Sequence, residues 1–433
     1  MVISQQEFLF SVIKRLDITK NILAAKIGVS LHTLNLWLLP EDSVEFVPMP
    51  NEIEEFIYKQ LLCNISKSKK YSLRDNIALN GKNHLLSVDQ FDRESLENFF
   101  RVADLMKPIS RRQKISRILE GAVLGNLFFE ASTRTRVSFG TAFCRLGGSV
   151  CDTTGFTFSS MAKGESIYDT SRVIGGYVDI MVVRHPEQGS VAEFSRATNI
   201  PVVNGGDGPG EHPSQALLDL YTIRTEFSRL GKSIDGSCVV MIGDLKYGRT
   251  VHSLLKLLSL YKGLKISLFS PPGLEMPDSI INYASVNGNC VDIKSSLEEG
   301  LDGVDVVYAT RVQKERFTNP MNEYFDKKFQ IDLSKINSNC KKDTIVMHPL
   351  PRDGRPGAND LSIDLNNDSR LAIFRQADNG IPIRMAIFAI LLGVITWLII
   401  HYAMYSGLYL LTLGLTILLS IVCNIVYLGF ISL

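Results

Sequence analysis

Between residues 84 and 393 the sequence alternates short apolar runs with helical stretches of mixed polarity, and few folds accept that rhythm. Residues 122–129, 178–183, 237–242, 265–269, 304–310 and 345–347 are mostly apolar and bounded by polar or glycine-rich turns, so they read as buried strands. Residues 150–153 add a strand, and residues 201–208 read as a strand and then a loop. Strands apolar on both faces and alternating with helices belong to parallel sheets covered on both sides. The chain has 433 residues, too many for one core. The expected fold class is therefore α/β, with two doubly wound parallel-sheet domains. The first spans 84–215 and the second 216–375, with a closing stretch at 376–393.

Outside that rhythm lie two segments of different character. Residues 1–75 read as a small helical module, with two short helices turning at Gly28 and a second helix carrying Thr33 and Trp37. The pattern resembles a helix-turn-helix, but nine basic residues are balanced by nine acidic ones. No basic footprint supports nucleic acid as a partner. The run 394–433 is an apolar tail, and the last 49 residues, from Met385 on, contain no Asp, Glu, Lys or Arg. Residues 407–430 supply the roughly 20 apolar positions that a membrane helix needs. The last charges lie on the body side, so the expectation is a cytoplasmic body tethered to the inner membrane by the tail.

Formal charge is +1, which gives no electrostatic reason to expect a polyanionic macromolecular partner. The seven cysteines are scattered without a Cys-x-x-Cys pair, which argues against a zinc site and for a reduced compartment. The basic run Arg111, Arg112, Lys114 reads as a solvated helix face.

The chemistry concentrates where the first long strand gives way to a helix, at Ser132-Thr133-Arg134-Thr135-Arg136. Free N–H groups at a helix N-terminus bind anions, and hydroxyls with a guanidinium fork complete a phosphate cradle. Four further motifs follow in order: Lys163-Gly164-Glu165, Arg184-His185-Pro186-Glu187, His212-Pro213-Ser214-Gln215, and His348-Pro349-Leu350-Pro351-Arg352. An arginine at the carboxyl end of a parallel strand faces the ligand crevice of an open sheet, which suits Arg184. The glycine-rich turn from Gly243 to Gly248 lacks the dinucleotide fingerprint.

These five motifs resemble the transcarbamylase family, and within it the catalytic chains that use aspartate, over residues 84–393. The resemblance implies transfer of the carbamoyl group of carbamoyl phosphate to the amine of L-aspartate, the second step of de novo pyrimidine biosynthesis. It implies that Ser132, Thr133, Arg134, Thr135, Arg184, His212 and Gln215, with the carbonyls of Pro349 and Leu350, hold carbamoyl phosphate. Ser159 and Lys163 would reach in from a neighbouring subunit, which requires a homotrimer with shared active sites; Ser160 is the alternate to Ser159. Arg134, Thr135, Lys163, Arg184 and His212 would be catalytic. Lys163, Arg249, Arg311 and Gln313 would hold aspartate. The chemistry needs no cofactor and no metal, because phosphate is already a competent leaving group. Ornithine-using relatives typically carry His-Cys-Leu-Pro where this chain has His348-Pro349-Leu350-Pro351. Regulatory or dihydroorotase partner chains are compatible with the family. A non-catalytic assembly partner is the competing class.

Overall fold

Sixteen positive-φ glycines punctuate the described residues, and Gly28 is the first of them, at φ +72°. It lets the N-terminal segment break between α1 (Lys20–Ile27) and α2 (Leu31–Trp37), as the sequence predicts. The computed structural model describes residues 5–6, 9–10, 13, 19–40, 43–50, 53, 84–155, 164–311, 329–353 and 360–394. Two compact units separate, residues 73–392 and residues 1–72 with 393–433. In the smaller unit, Ser30 caps α2 by accepting the Thr33 N–H at 3.0 Å, and the Thr33 hydroxyl bonds back to Ser30 at 2.8 Å. Trp37 packs with Leu9, Leu23, Leu34 and Met49 in a small core. Thr33 thus joins the cap and Trp37 the core.

The larger unit carries the predicted alternation. Helix α3 (Arg93–Ser110) leads into β1 (Val123–Phe128), α4 (Thr133–Arg145), β2 (Ser149–Thr154), α5 (Ile167–Gly175), β3 (Ile180–His185), α6 (Ser190–Ala197) and β4 (Val202–Asp207). These four strands form one parallel sheet in the order β2-β1-β3-β4. Helix α7 (Pro213–Leu230) runs without a break across residues 215 and 216. Then come β5 (Cys238–Ile242), α8 (Arg249–Leu258), β6 (Lys265–Phe269), α9 (Asp278–Ala284), β7 (Cys290–Ile293), α10 (Leu297–Leu301), β8 (Val306–Ala309), α11 (Leu333–Asn339) and β9 (Ile345–Met347). The second sheet is parallel in the order β7-β6-β5-β8-β9. Both sheets are doubly wound. The central strands β3 and β8 are buried at every position, as strands covered on both faces must be.

The chain closes on α12 (Ile373–Leu391), which packs against α3, α4 and α7 of the first sheet. Phe388 meets Phe143 and Phe139 edge to face, at 4.9 and 5.9 Å between ring centroids. In sequence, residues 374–380 read as the lead-in to a helix that opens at Ile383. The helix starts ten residues earlier and carries Gly380 and Pro382 inside it. Gly380 is needed there: a Cβ would come within 2.4 Å of the Arg384 guanidinium folded beneath it.

Two smaller expectations also shift. The run Arg111–Lys114 is not a helix face, since α3 ends at Ser110 and Arg112 turns the chain at φ +61°. Arg184 lies within β3 rather than beyond it. Among the described residues no helix is long and apolar enough to cross a membrane. The tail from residue 395 lies outside them.

Candidate active site at two switch points

Strand order reverses between β1 and β3 in the first sheet and between β5 and β8 in the second. At such a reversal the strand-to-helix turns diverge and leave a crevice beyond the carboxyl ends. A single cleft of about 710 Å³ is lined from all four ends. From β1 come Glu130, Ser132, Thr133, Arg134 and Thr135; from β3, Arg184; from the β5 turn, Arg249 and Thr250; from β8, Thr310 and Arg311. His212 and Gln215 arrive from the start of α7, residues 348–351 from the turn after β9, and Gln376 and Arg384 from α12.

The helix start that the sequence singles out is built as an anion site. Ser132 is the N-cap of α4, yet its hydroxyl makes no capping bond to the helix. The first-turn N–H groups therefore face the cleft with the dipole's positive end behind them. Arg134 stands exposed in the first turn. Desolvation, and then the like charge of Arg311, lowers its pKa from the ordinary arginine value.

Deeper in, Arg184 is 9% and Arg249 5% exposed. Both point at one carboxylate: Glu130 Oε2 lies 2.8 Å from Arg184 Nη2 and 3.4 Å from Arg249 Nη2. Backbone carbonyls at the end of β4 and just past it complete the clamp, Gly205 accepting from Arg184 at 3.2 Å and Gly208 from Arg249. Gly206 between them sits at φ +128°, and a Cβ there would meet the Arg184 guanidinium at 2.7 Å. Burial and the neighbouring Arg184 push Arg249 down to about 10, which leaves it cationic at neutral pH. Five arginines thus line the cleft against one glutamate. Clustered cations with so little compensation cost stability unless an anion binds among them.

His212 is the N-cap of α7 and 4% exposed. Burial, then Arg249, Arg184 and Arg384, holds its pKa well below 6.5, so it is the neutral imidazole at physiological pH. The turn at Pro349 and Leu350 is fixed from below. Leu350 N–H donates to His348 Nδ1 at 2.8 Å, so the other ring nitrogen carries the proton and donates to Asp360 at 2.7 Å. His348 N–H in turn donates to Gln376 Oε1 at 3.0 Å.

Of the residues predicted from sequence, the cleft gathers Ser132, Thr133, Arg134, Thr135, Arg184, His212, Gln215, Arg249, Arg311, Pro349 and Leu350. Ser159, its alternate Ser160, Lys163 and Gln313 lie outside the described residues. Sequence reasoning missed Glu130, the Gly205–Gly208 carbonyls, Gln376 and Arg384. A signal existed for Arg384, the last charge before a long neutral run. Glu130 sits inside the quoted motif and was given no role.

An anion-binding helix start, a ring of buried guanidinia and a neutral histidine donor, all at paired switch points, define a two-substrate α/β transferase acting on small anions. The chain belongs to the aspartate/ornithine carbamoyltransferase family. The model of that family's carbamoyl-P binding domain matches residues 83–225, and that of its Asp/Orn binding domain matches residues 235–391. An aspartate carbamoyltransferase catalytic subunit from Saccharophagus degradans is 54% identical over 312 residues, 72% of this chain and 93% of that one. The catalytic subunit of M. jannaschii aspartate transcarbamoylase is 40% identical with a TM-score of 0.65, over 72% of this chain and 98% of that one. The Trypanosoma cruzi aspartate transcarbamoylase, solved with carbamoyl phosphate and aspartate, is 36% identical with a TM-score of 0.65, over 74% and 98%.

Proposed function

We propose that this chain transfers the carbamoyl group of carbamoyl phosphate to the amine of L-aspartate, giving N-carbamoyl-L-aspartate and phosphate, the second step of de novo pyrimidine biosynthesis. The observation that carries this reading is the convergence of five arginines on one cleft whose floor is a helix N-terminus. The phosphate dianion sits on the Ser132–Thr135 turn with Arg134. The amine attacks the carbonyl carbon, and negative charge grows on the carbonyl oxygen. Thr135, Arg184 and neutral His212 are the pre-placed donors for that oxyanion. Collapse of the tetrahedral intermediate breaks the C–O bond to phosphate, and the departing phosphate takes the amine's proton. Gln215 and the Pro349 and Leu350 carbonyls accept from the carbamoyl NH₂. Positioning of two anions in one electropositive cleft supplies most of the acceleration.

Two carboxylates suit two arginine forks, and Arg249 and Arg311, with Gln313, take aspartate. The domains assigned to these roles are 84–215 with 376–393, and 216–375. Ser159 and Lys163 serve the site of the next subunit, which makes the active form a trimer. The charge-free run 407–430 supports a membrane anchor for the tail; carbonate washing of fractionated membranes tests that, and full release into the wash refutes it.

Ornithine is the competing acceptor, because the family includes both. Its cationic side chain would meet Arg249 or Arg311 where aspartate presents a carboxylate, and the His348-Pro349-Leu350-Pro351 turn is not the ornithine type. Turnover with carbamoyl phosphate and each amino acid decides the matter. Aspartate is expected to be carbamoylated efficiently and ornithine poorly; comparable or faster turnover of ornithine overturns the reading.

A further inference from the structure

Behind the cleft lies a carboxylate that the chemistry above does not use. Asp219 sits on α7 four residues after Gln215, so the two share a face, and its side chain is fully buried. Its Oδ1 accepts from Gln215 Nε2 at 2.8 Å and from Gln376 Nε2 at 2.6 Å. Its Oδ2 accepts from the Tyr308 hydroxyl at 2.6 Å. The three donors come from α7, α12 and β8. A buried carboxylate is costly unless its oxygens are satisfied, and here three donors from three elements satisfy them.

A side-chain amide has a donor end and an acceptor end, whereas a carboxylate only accepts. Asp219 therefore dictates which end of Gln215 faces it. The NH₂ turns inward and the carbonyl oxygen is left for the cleft. Gln376 is set the same way, its NH₂ on Asp219 and its oxygen on the His348 N–H. His348 heads the turn that carries the Pro349 and Leu350 carbonyls. One carboxylate thus orients all three acceptors assigned to the carbamoyl NH₂.

We propose that Asp219 is a positioning residue that makes the cleft select an acyl phosphate bearing an NH₂ group over one bearing a methyl. The proposal rests on the carbamoyl phosphate reading of the site. Asp219→Asn is the direct test, because asparagine can donate to Gln215 and let that amide flip, turning its NH₂ toward the substrate's. Acetyl phosphate, with CH₃ in place of NH₂, is the companion probe, read as a competitive inhibitor against carbamoyl phosphate. In the full-length protein, kcat/KM for carbamoyl phosphate is expected to fall about 10- to 100-fold, the scale of leaving one buried polar group unsatisfied. The inhibition constants of acetyl phosphate and inorganic phosphate should each stay within about 3-fold, since neither probe carries the NH₂ group. A parallel loss for all three ligands, or no loss for carbamoyl phosphate, overturns the proposal. Should Asp219→Asn fail to fold, Gln376→Met, which removes one of the links, is read by the same two outcomes. If the unmodified protein does not transfer a carbamoyl group, the site reading itself fails, and that is seen before any variant is made.

Discussion

Arg311 and His212 are the side chains whose surroundings translate most directly into measurements. Arg311 stands close enough to Arg134 to depress its pKa, so aspartate's carboxylate would relieve a repulsion as well as form a pair. Arg311→Ala leaves that carboxylate unpaired in the cleft, at a cost of about 2–5 kcal/mol by analogy with truncated buried charge pairs. The expected outcome is a roughly 30-fold to several-thousand-fold drop in kcat/KM for aspartate. Carbamoyl phosphate should bind as well as before, because Arg134 loses only a like-charged neighbour. Steady-state kinetics with each substrate varied would expose an error, seen as weakened carbamoyl phosphate with aspartate unaffected. His212 should not titrate between pH 8 and 6, since burial and three arginines favour its neutral form. The unfolded chain does protonate its imidazole near 6.5, so this residue makes stability fall as pH drops below that value. Imidazole NMR shifts of His212 across that range are expected to stay flat; a midpoint at 6.5 or above would contradict the donor role. Most of these residues were legible in sequence because they sit in short contiguous strings. Glu130, Gln376 and Asp219 were not, because each also needs a partner far along the chain: Arg184 for Glu130, and Asp219 and Gln376 for each other across 157 positions.

Among the elements, α12 explains the most packing. Phe388 is fully buried between Phe139 and Phe143 of α4, so Phe388→Ala should cost about 3–5 kcal/mol of unfolding free energy. Urea denaturation of the two proteins measures this, and a loss below 1 kcal/mol would mean that α12 is not part of the first sheet's core. The same helix marks where sequence reading stopped short. Glycine and proline argue locally against a helix, whereas packing against three helices decides for one. Strand β7 went unrecognised for the opposite reason. It lies at a sheet edge, largely exposed, so it carries no apolar run. The central strands were legible because burial on both faces leaves room for little but Val, Ile, Leu and Met.

For the whole molecule, the proposal that Ser159 and Lys163 serve a neighbouring subunit's site predicts complementation. Lys163→Ala and Arg134→Ala proteins should each be nearly inactive as homotrimers. Mixed and reassembled, they should regain part of the activity, because some interfaces then join an intact loop to an intact cradle. Verified mixed trimers without any recovery would mean that each site is built from one chain. A different consequence follows from the order of elements. The first sheet is written between residues 123 and 207, but the helix that seals Phe139 and Phe143 is written between 373 and 391. As the chain is synthesised from its N-terminus, more than 160 residues, including the whole second sheet, emerge before that cover does. The first sheet's aromatic helix face must therefore wait uncovered through about half of translation. Until that last helix arrives, the nascent chain carries an apolar face open to aggregation.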